Sequence, residues 1–245
     1  MTDARLCALL AAVGAAAIFC ALLLGATPIS PATALSGLFG GADAATRTVL
    51  HEIRLPRALA AYLVGAALGA AGAAQQGLFR NPLADPGLLG VTAFASLAAT
   101  VTIFFGLAAT FVWATPIAAV AGALAATALL GFAAVRTASV ITLILIGVGL
   151  SSFTVALMTL LLNLAPNPFT LSDMVNWTLG TVANRSLADI ALAAPVLAAG
   201  AALLAFAARG LDALSLGEET AAGLGVDLAR TRLLVVAGTG LICGG

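Results

Sequence analysis

The chain has 245 residues, of which 62% are hydrophobic and 8% are charged. A soluble domain carries about 25% charged residues, so this composition excludes an ordinary globular fold and indicates a membrane protein. The ten basic residues balance ten acidic ones, which excludes the net positive charge typical of nucleic-acid-binding proteins, and we expect no nucleic-acid partner.

All ten basic residues are arginines, because the sequence contains no lysine. This excludes a Walker A phosphate loop and a Schiff-base cofactor, since each requires a lysine. The single histidine, His51, likewise excludes an HExxH zinc site. The sequence therefore predicts no metal site and no cofactor on this chain, and if ATP drives the protein, a partner subunit must bind it.

Apolar runs along the chain predict six full membrane spans and part of a seventh. Each is free of charge or carries a charge only near an end, and about 20 helical residues at 1.5 Å each cover the roughly 30 Å hydrocarbon core of a bilayer. The runs are residues 6–26, 58–78, 88–108, 113–135, 139–163, 190–208 and 233–245. The predicted fold class is all-α, a polytopic transmembrane helical bundle in one domain, residues 1–245.

The two ends of the chain need separate interpretation. The first run follows Arg5 and resembles a secretory signal, but it exceeds the usual signal core of roughly 7–15 residues, so we expect a retained anchor. The last run stops after about 13 residues, which is short of a full span. We therefore expect the domain to be incomplete at its C-terminus.

An outer loop at residues 46–57 carries an unusual share of positive charge. With the N-terminus in the cytoplasm, six arginines fall in inner loops and four in outer loops, a weak agreement with the positive-inside rule. Three of the outer four lie in this loop. Arg54 and Arg57 either anchor a helix end at the headgroups or dock carboxylates of an external protein.

Two polar segments lie on the predicted cytoplasmic side. The first, between the second and third spans, has two prolines that predict a fixed non-helical turn; its polar and proline residues are Arg80, Asn81, Pro82, Asp85 and Pro86. The second, residues 211–228, has glycines at 217, 223 and 225. We expect two short helices broken at these glycines, which together would fit a cleft on a partner.

Small residues inside the spans predict close helix packing, as at Gly65 and Gly69. Another group of small residues lies in the fifth span and either packs in the same way or lines a pathway. Its members are Gly147, Gly149, Ser151 and Ser152.

Four segments in this order resemble the FecCD-type permeases, the membrane subunits of ATP-driven bacterial importers for iron-siderophores, haem and cobalamin. They are RLPR at 54–57, QGLFRNPLADPGLLGV at 76–91, WTLGTVANRS at 177–186 and LSLGEETAAGLGVD at 214–227. The family's remaining helices and a later motif rich in Gly, Phe, Pro and His are absent, so a chain ending at residue 245 should not form the full translocation path.

The resemblance implies a permease with ten helices when complete, in the bacterial inner membrane, paired with itself or a second permease. It also implies cytoplasmic ATPase subunits, a periplasmic or lipid-anchored binding protein and a metal-chelate or corrinoid substrate. By similarity, Arg54 and Arg57 meet acidic residues of the binding protein. The coupling segment that seats in the ATPase includes Leu216, Gly217, Glu218, Glu219, Ala221, Gly223, Leu224 and Gly225.

On this interpretation the chain is a transport subunit and not an enzyme. One alternative is an ion-coupled secondary transporter, which would place acidic or histidine residues inside spans, and none lies near a predicted span centre. Another is a membrane-embedded serine hydrolase, but residues 149–153 (GLSSF) are not a nucleophile elbow.

Overall fold

The computed structural model describes residues 3–111, 113–136 and 140–244, and these form helices and loops without a β-strand. The all-α class is confirmed. The α-helices are α1 (Asp3–Leu23), α2 (Pro31–Leu38), α3 (Ala44–Thr48), α4 (Leu55–Phe79), α5 (Val91–Phe104), α6 (Leu107–Thr110), α7 (Ala114–Arg136), α8 (Val140–Asn163), α9 (Pro168–Leu179), α10 (Leu187–Leu214), α11 (Glu218–Gly223) and α12 (Leu228–Gly244). A π-helix (Val49–Arg54) joins α3 to α4, and a 3₁₀ helix (Pro86–Leu89) precedes α5.

Five helical stretches in the described residues are long and apolar enough to cross a membrane. They coincide with the first, second, fourth, fifth and sixth predicted runs, which confirms a multi-span helical bundle. They are Arg5–Leu23, Ala44–Phe79, Ala114–Ala133, Ile141–Asn163 and Leu187–Leu214. Residue 139 of the fifth run and residue 245 of the seventh lie outside the described residues.

The third predicted span is shorter than its apolar run. The helix α5 has 14 residues, about 21 Å at 1.5 Å per residue. It begins late because Gly90, at φ 74°, separates it from the 3₁₀ helix, and it ends before Gly106, at φ 69°. Hydropathy alone does not register these breaks, since glycine and leucine both occur in apolar runs.

The first of two compact units comprises Met1–Ala66 and Val182–Ala193. Two of its helices are capped at their N-termini. The Ser30 hydroxyl accepts a hydrogen bond from Thr33 N at the start of α2, and the Asp43 carboxylate accepts one from Thr46 N at the start of α3. Leu50, on the π-helix, is fully buried against Gly37. The segment between α1 and α4 therefore has a packed structure.

The second unit comprises Ala67–Thr181 and Ala194–Gly245. Its first core, shared by α5, α7, α8 and α12, is built largely of buried alanines with Leu130, Leu143 and Val236 among them. The helices α10 and α12 cross closely, since a Cβ on either Gly200 or Gly238 would lie 2.9 Å from the carbonyl oxygen of the other. Small residues permit this backbone approach.

A second core in the same unit joins α4, α10, α11 and α12. Leu78, Leu214 and Val235 are buried in it, and Ala221 of the short helix α11 is buried with them. The segment between α10 and α12 is therefore attached to three long helices.

Candidate functional site: the coupling segment, the turn and the outer arginines

The segment between α10 and α12 contains a single short helix, α11 (Glu218–Gly223), with a positive-φ glycine just before it and another two residues after it. Gly217 precedes it at φ 106°, and Gly225 follows it at φ 81°. The expectation of two short helices is wrong, because α10 continues to Leu214 and takes up the first residues of the segment. The expectation that glycines break the segment is met. Asp227 then caps α12, accepting from Arg230 N at 2.9 Å.

An ion pair ties α11 to α12. Arg232 Nη2 lies 3.0 Å from Glu218 Oε1, with the arginine side chain 6% and the glutamate side chain 34% exposed. The contact joins residues 14 positions apart, and solvent at the partly exposed glutamate screens its charge. Glu218 therefore fixes the position of α11, whereas the neighbouring Glu219 is exposed.

The outward side of the segment is apolar at two points. Leu216 is 64% and Leu224 is 65% exposed, one before and one after α11, whereas Ala221 between them is fully buried. A segment with one face packed in the core and exposed leucines on another offers a rigid surface of the kind used in protein contacts. Gly223 and Gly225 are also exposed on it.

The turn after α4 is held by its own polar groups. Asn81 Oδ1 accepts from Leu83 N at 2.9 Å, and Gln76 Nε2 donates to Pro82 O at 3.1 Å. Asp85 Oδ1 accepts from Gly87 N at 2.6 Å, immediately before the 3₁₀ helix that starts at Pro86. Residues 80–85 form a hydrogen-bonded, non-helical turn as expected, whereas Pro86, which the sequence prediction placed in the same non-helical segment, begins the 3₁₀ helix.

Arg80, the first residue of this turn, has φ 49°. The left-handed conformation costs a residue with a side chain about 1–2 kcal/mol, and helices that end this way usually place glycine there. Among the described residues, Asn184 (φ 57°) is the only other non-glycine at positive φ, and asparagine tolerates that region. The left-handed backbone at Arg80 therefore destabilises the folded protein relative to glycine at this position.

The two outer arginines have opposite environments. Arg54 is 7% exposed; its Nη1 donates to the carbonyl oxygens of Leu22 (2.7 Å) and Leu23 (3.0 Å) at the end of α1. Its Nη2 donates to Thr27 Oγ1 at 3.1 Å and also to the Thr27 carbonyl. The last carbonyls of a helix lack amide partners and attract a cation. The expectation of an exposed Arg54 that docks a partner is therefore wrong, whereas Arg57 is exposed.

The glycine and serine group in α8 separates onto two faces. A Cβ on Gly90 would lie 2.7 Å from Ser151 Oγ and 3.1 Å from the Gly147 carbonyl oxygen, so these two residues pack against the start of α5. Gly149 and Ser152 are exposed, and no packing neighbour lies within 4 Å of the Gly149 Cβ position among the described residues. The structure does not bring the four together at one site.

Two residues beside the predicted site escaped the sequence reasoning. Buried Arg232 pairs with Glu218 across 14 residues of chain, and the signal that could have found it is an arginine placed just inside an apolar helix. Leu83 is 84% exposed in the turn after α4, whereas Leu78, near the end of α4, is 2% exposed, and hydropathy alone does not separate the two. Within the described residues no group of three or more His, Cys, Asp or Glu side chains is placed to hold a metal ion.

Two relatives resemble the chain over most of its length. It is 39% identical to the uncharacterized ABC transporter permease protein YvrB of Bacillus subtilis (strain 168) over 213 residues, covering 85% of this chain and 60% of YvrB. It is 38% identical to the ferric enterobactin transport system permease protein FepD of Escherichia coli (strain K12) over 231 residues, covering 91% of this chain and 67% of FepD. The chain thus spans about two thirds or less of these relatives.

A solved structure described as a metal-chelate type ABC transporter in an inward-facing conformation has the same fold. It matches with a TM-score of 0.81 and 28% identity over 96% of this chain and 73% of that chain. The profile of the FecCD transport family matches residues 11–245. Because that match covers nearly the whole sequence and the helical fold agrees with it, the chain belongs to the FecCD transport family.

Proposed function

We propose that the chain is the membrane permease subunit of an ATP-driven bacterial importer in the inner membrane, and that ATP is bound and hydrolysed on separate cytoplasmic subunits. The family supports a transport role. The observation that carries the proposal is the coupling segment, in which α11 is fixed to the helix core on one side and bears exposed Leu216 and Leu224 on the other. Such a surface can bind a partner protein and pass that partner's movement on to the helices behind it.

The attachment of α11 provides a mechanical route from that partner into the membrane. Ala221 packs in the core shared by α4, α10 and α12, and Glu218 pairs with Arg232 at the start of α12. A force on α11 would therefore act on three long helices together. We propose that ATP binding and hydrolysis drive these helices between outward-open and inward-open arrangements.

The proposed substrate is a metal chelate. FepD is named for ferric enterobactin and the solved structure is described as metal-chelate type, while the sequence resemblance adds haem and cobalamin. We propose that a second permease completes the path, and that Gly149 and Ser152, on the exposed face of α8, line it. Gly147 and Ser151 are excluded from this role because they pack against Gly90.

Co-expression with candidate partner subunits tests the proposal. The permease would be expressed with an importer ATPase and a binding protein from the same genome, and the amount of co-purified ATPase would be measured together with ATP-dependent uptake of a ferric siderophore into vesicles. A double variant, Leu216→Ser with Leu224→Ser, should weaken ATPase binding about a hundredfold or more and so lower its recovery, since burying each leucine in an interface is worth roughly 1.5–3 kcal/mol and about 1.4 kcal/mol is a factor of ten.

A matched control is Phe39→Ser, which removes another exposed apolar side chain, 89% exposed, from the outer segment. ATPase recovery should be unchanged in that variant. Uptake that proceeds without nucleotide and follows an imposed ion gradient would instead support the secondary transporter and contradict the proposal.

A further inference from the structure

The guanidinium of Arg80 lies beside the coupling segment without an acidic partner. Its Nη1 is 3.9 Å from the Cβ position of Gly217, the residue that precedes α11. The side chain is exposed, and no carboxylate among the described residues forms an ion pair with it. A positive charge is thus held next to the start of α11, at a backbone position that favours glycine. A non-glycine residue kept in a strained backbone conformation suggests that its side chain has a function other than stabilising the fold.

The exposure of Leu83 has a structural cause. Its backbone amide is fixed by Asn81 Oδ1, and the next residue, Ala84, is 3% exposed and donates its amide to the Asn81 carbonyl at 3.1 Å. The turn therefore presents this leucine outward in a defined position. A leucine that is 84% exposed on a rigid turn is suited to an apolar depression on another protein.

We infer that the turn at residues 80–86 is a second docking element for the ATPase subunit, continuous with the coupling segment, in which Arg80 pairs with a carboxylate of the ATPase and Leu83 enters an apolar depression. The inference rests on the proposed function. The ATPase is the occupant because Arg80 adjoins Gly217, so the same partner that covers Leu216 reaches the turn. The exposed positive charge favours an acidic group on that partner at this point.

The variant Arg80→Gly separates docking from folding. It removes the guanidinium and relieves the left-handed backbone, so the thermal midpoint of the purified permease should stay the same or rise. The affinity of the permease in nanodiscs for the purified ATPase that co-purifies with it should fall about tenfold, more at low salt than at high salt. A residue with only a structural role would not move stability and affinity in opposite directions.

Two further variants sharpen the test. Asn184→Gly relieves the other non-glycine positive φ in the described residues and should leave ATPase affinity unchanged. Leu83→Ser should lower the affinity about tenfold without lowering the thermal midpoint, because the side chain makes few contacts within the chain.

The outcomes distinguish this inference from the proposed function. If wild-type permease binds no ATPase, the proposed function fails and this inference fails with it. If wild-type binds and both Arg80→Gly and Leu83→Ser bind equally well, the proposed function stands and the second docking element is overturned. That result would also be expected if the turn contacted lipid headgroups. If Arg80→Glu weakens ATPase binding and a change of one acidic residue of the ATPase to arginine restores it, that acidic residue is the partner of Arg80.

Discussion

Arg54 and Arg57 lie three residues apart in one motif, yet the fold uses them differently. Arg54 turns inward and donates to carbonyls at the end of α1 and to Thr27, whereas Arg57 remains exposed. Both are arginines preceding an apolar helix, so the sequence alone treats them alike. Their separation depends on where α1 ends relative to the π-helix, which is a tertiary relationship.

At the residue scale, Arg54→Met should therefore destabilise the protein. The substitution keeps the apolar stem but leaves the Leu22, Leu23 and Thr27 carbonyls without their charged donor, and we expect a loss of about 3 kcal/mol in the free energy of unfolding. Arg57→Met, the matched control, should change it by less than about 0.5 kcal/mol. Thermal unfolding in detergent measures both, and equal midpoints for the two variants would contradict a stabilising role of the Arg54 contacts with Leu22, Leu23 and Thr27.

The sequence predicts that a helix forms better than it predicts where the helix begins and ends. The long apolar runs became helices because lipid leaves backbone groups no other partner. The helix α5 is shorter than its run because Gly90 and Gly106 adopt positive φ. Likewise, Gly65 and Gly69 have the spacing for close packing but have no packing neighbour within 4 Å of either Cβ position among the described residues.

At the element scale, the crossing of α10 and α12 should be intolerant of even one added methyl group. A Cβ on Gly238 would lie 2.9 Å from the Gly200 carbonyl oxygen and 2.7 Å from Leu204 Cδ2. Gly238→Ala should therefore cost about 1–3 kcal/mol of stability. The control is Gly149→Ala, on an open helix face, which should raise the free energy of unfolding by up to about 1 kcal/mol. Thermal unfolding measures both variants. A Gly238→Ala variant that is more stable than the wild type would contradict the close crossing of α10 and α12.

At the scale of the whole molecule, we propose that the exposed Arg57 docks the binding protein, and this residue and the proposed ATPase-docking surface belong to different compact units. Arg57 lies in the first unit, and the coupling segment and the turn at residues 80–86 lie in the second. A substitution at Arg57 should then affect the binding protein without affecting the ATPase. The corrected site retains one outer arginine of the two that the sequence predicted.

Charge reversal at Arg57 tests this division. Arg57→Glu should weaken docking of the binding protein, most at low ionic strength, where exposed charges are least screened. ATPase affinity measured on the same sample should not change. The control is Arg47→Glu, another exposed outer arginine that lies outside the RLPR motif. Binding-protein affinity that is equal for Arg57→Glu and the wild type at low salt would refute the docking role.

The sequence by itself determined the helical class, most of the spans and the glycine-bounded break between α10 and α12, because hydropathy and glycine positions are local properties of the chain. Only the tertiary structure decided that Arg54 is buried, that Glu218 pairs with Arg232, and that Arg80 adjoins Gly217. Each of these facts depends on contacts between residues at least 14 positions apart in the chain. Their contacts follow from how the helices pack, which composition and spacing do not specify.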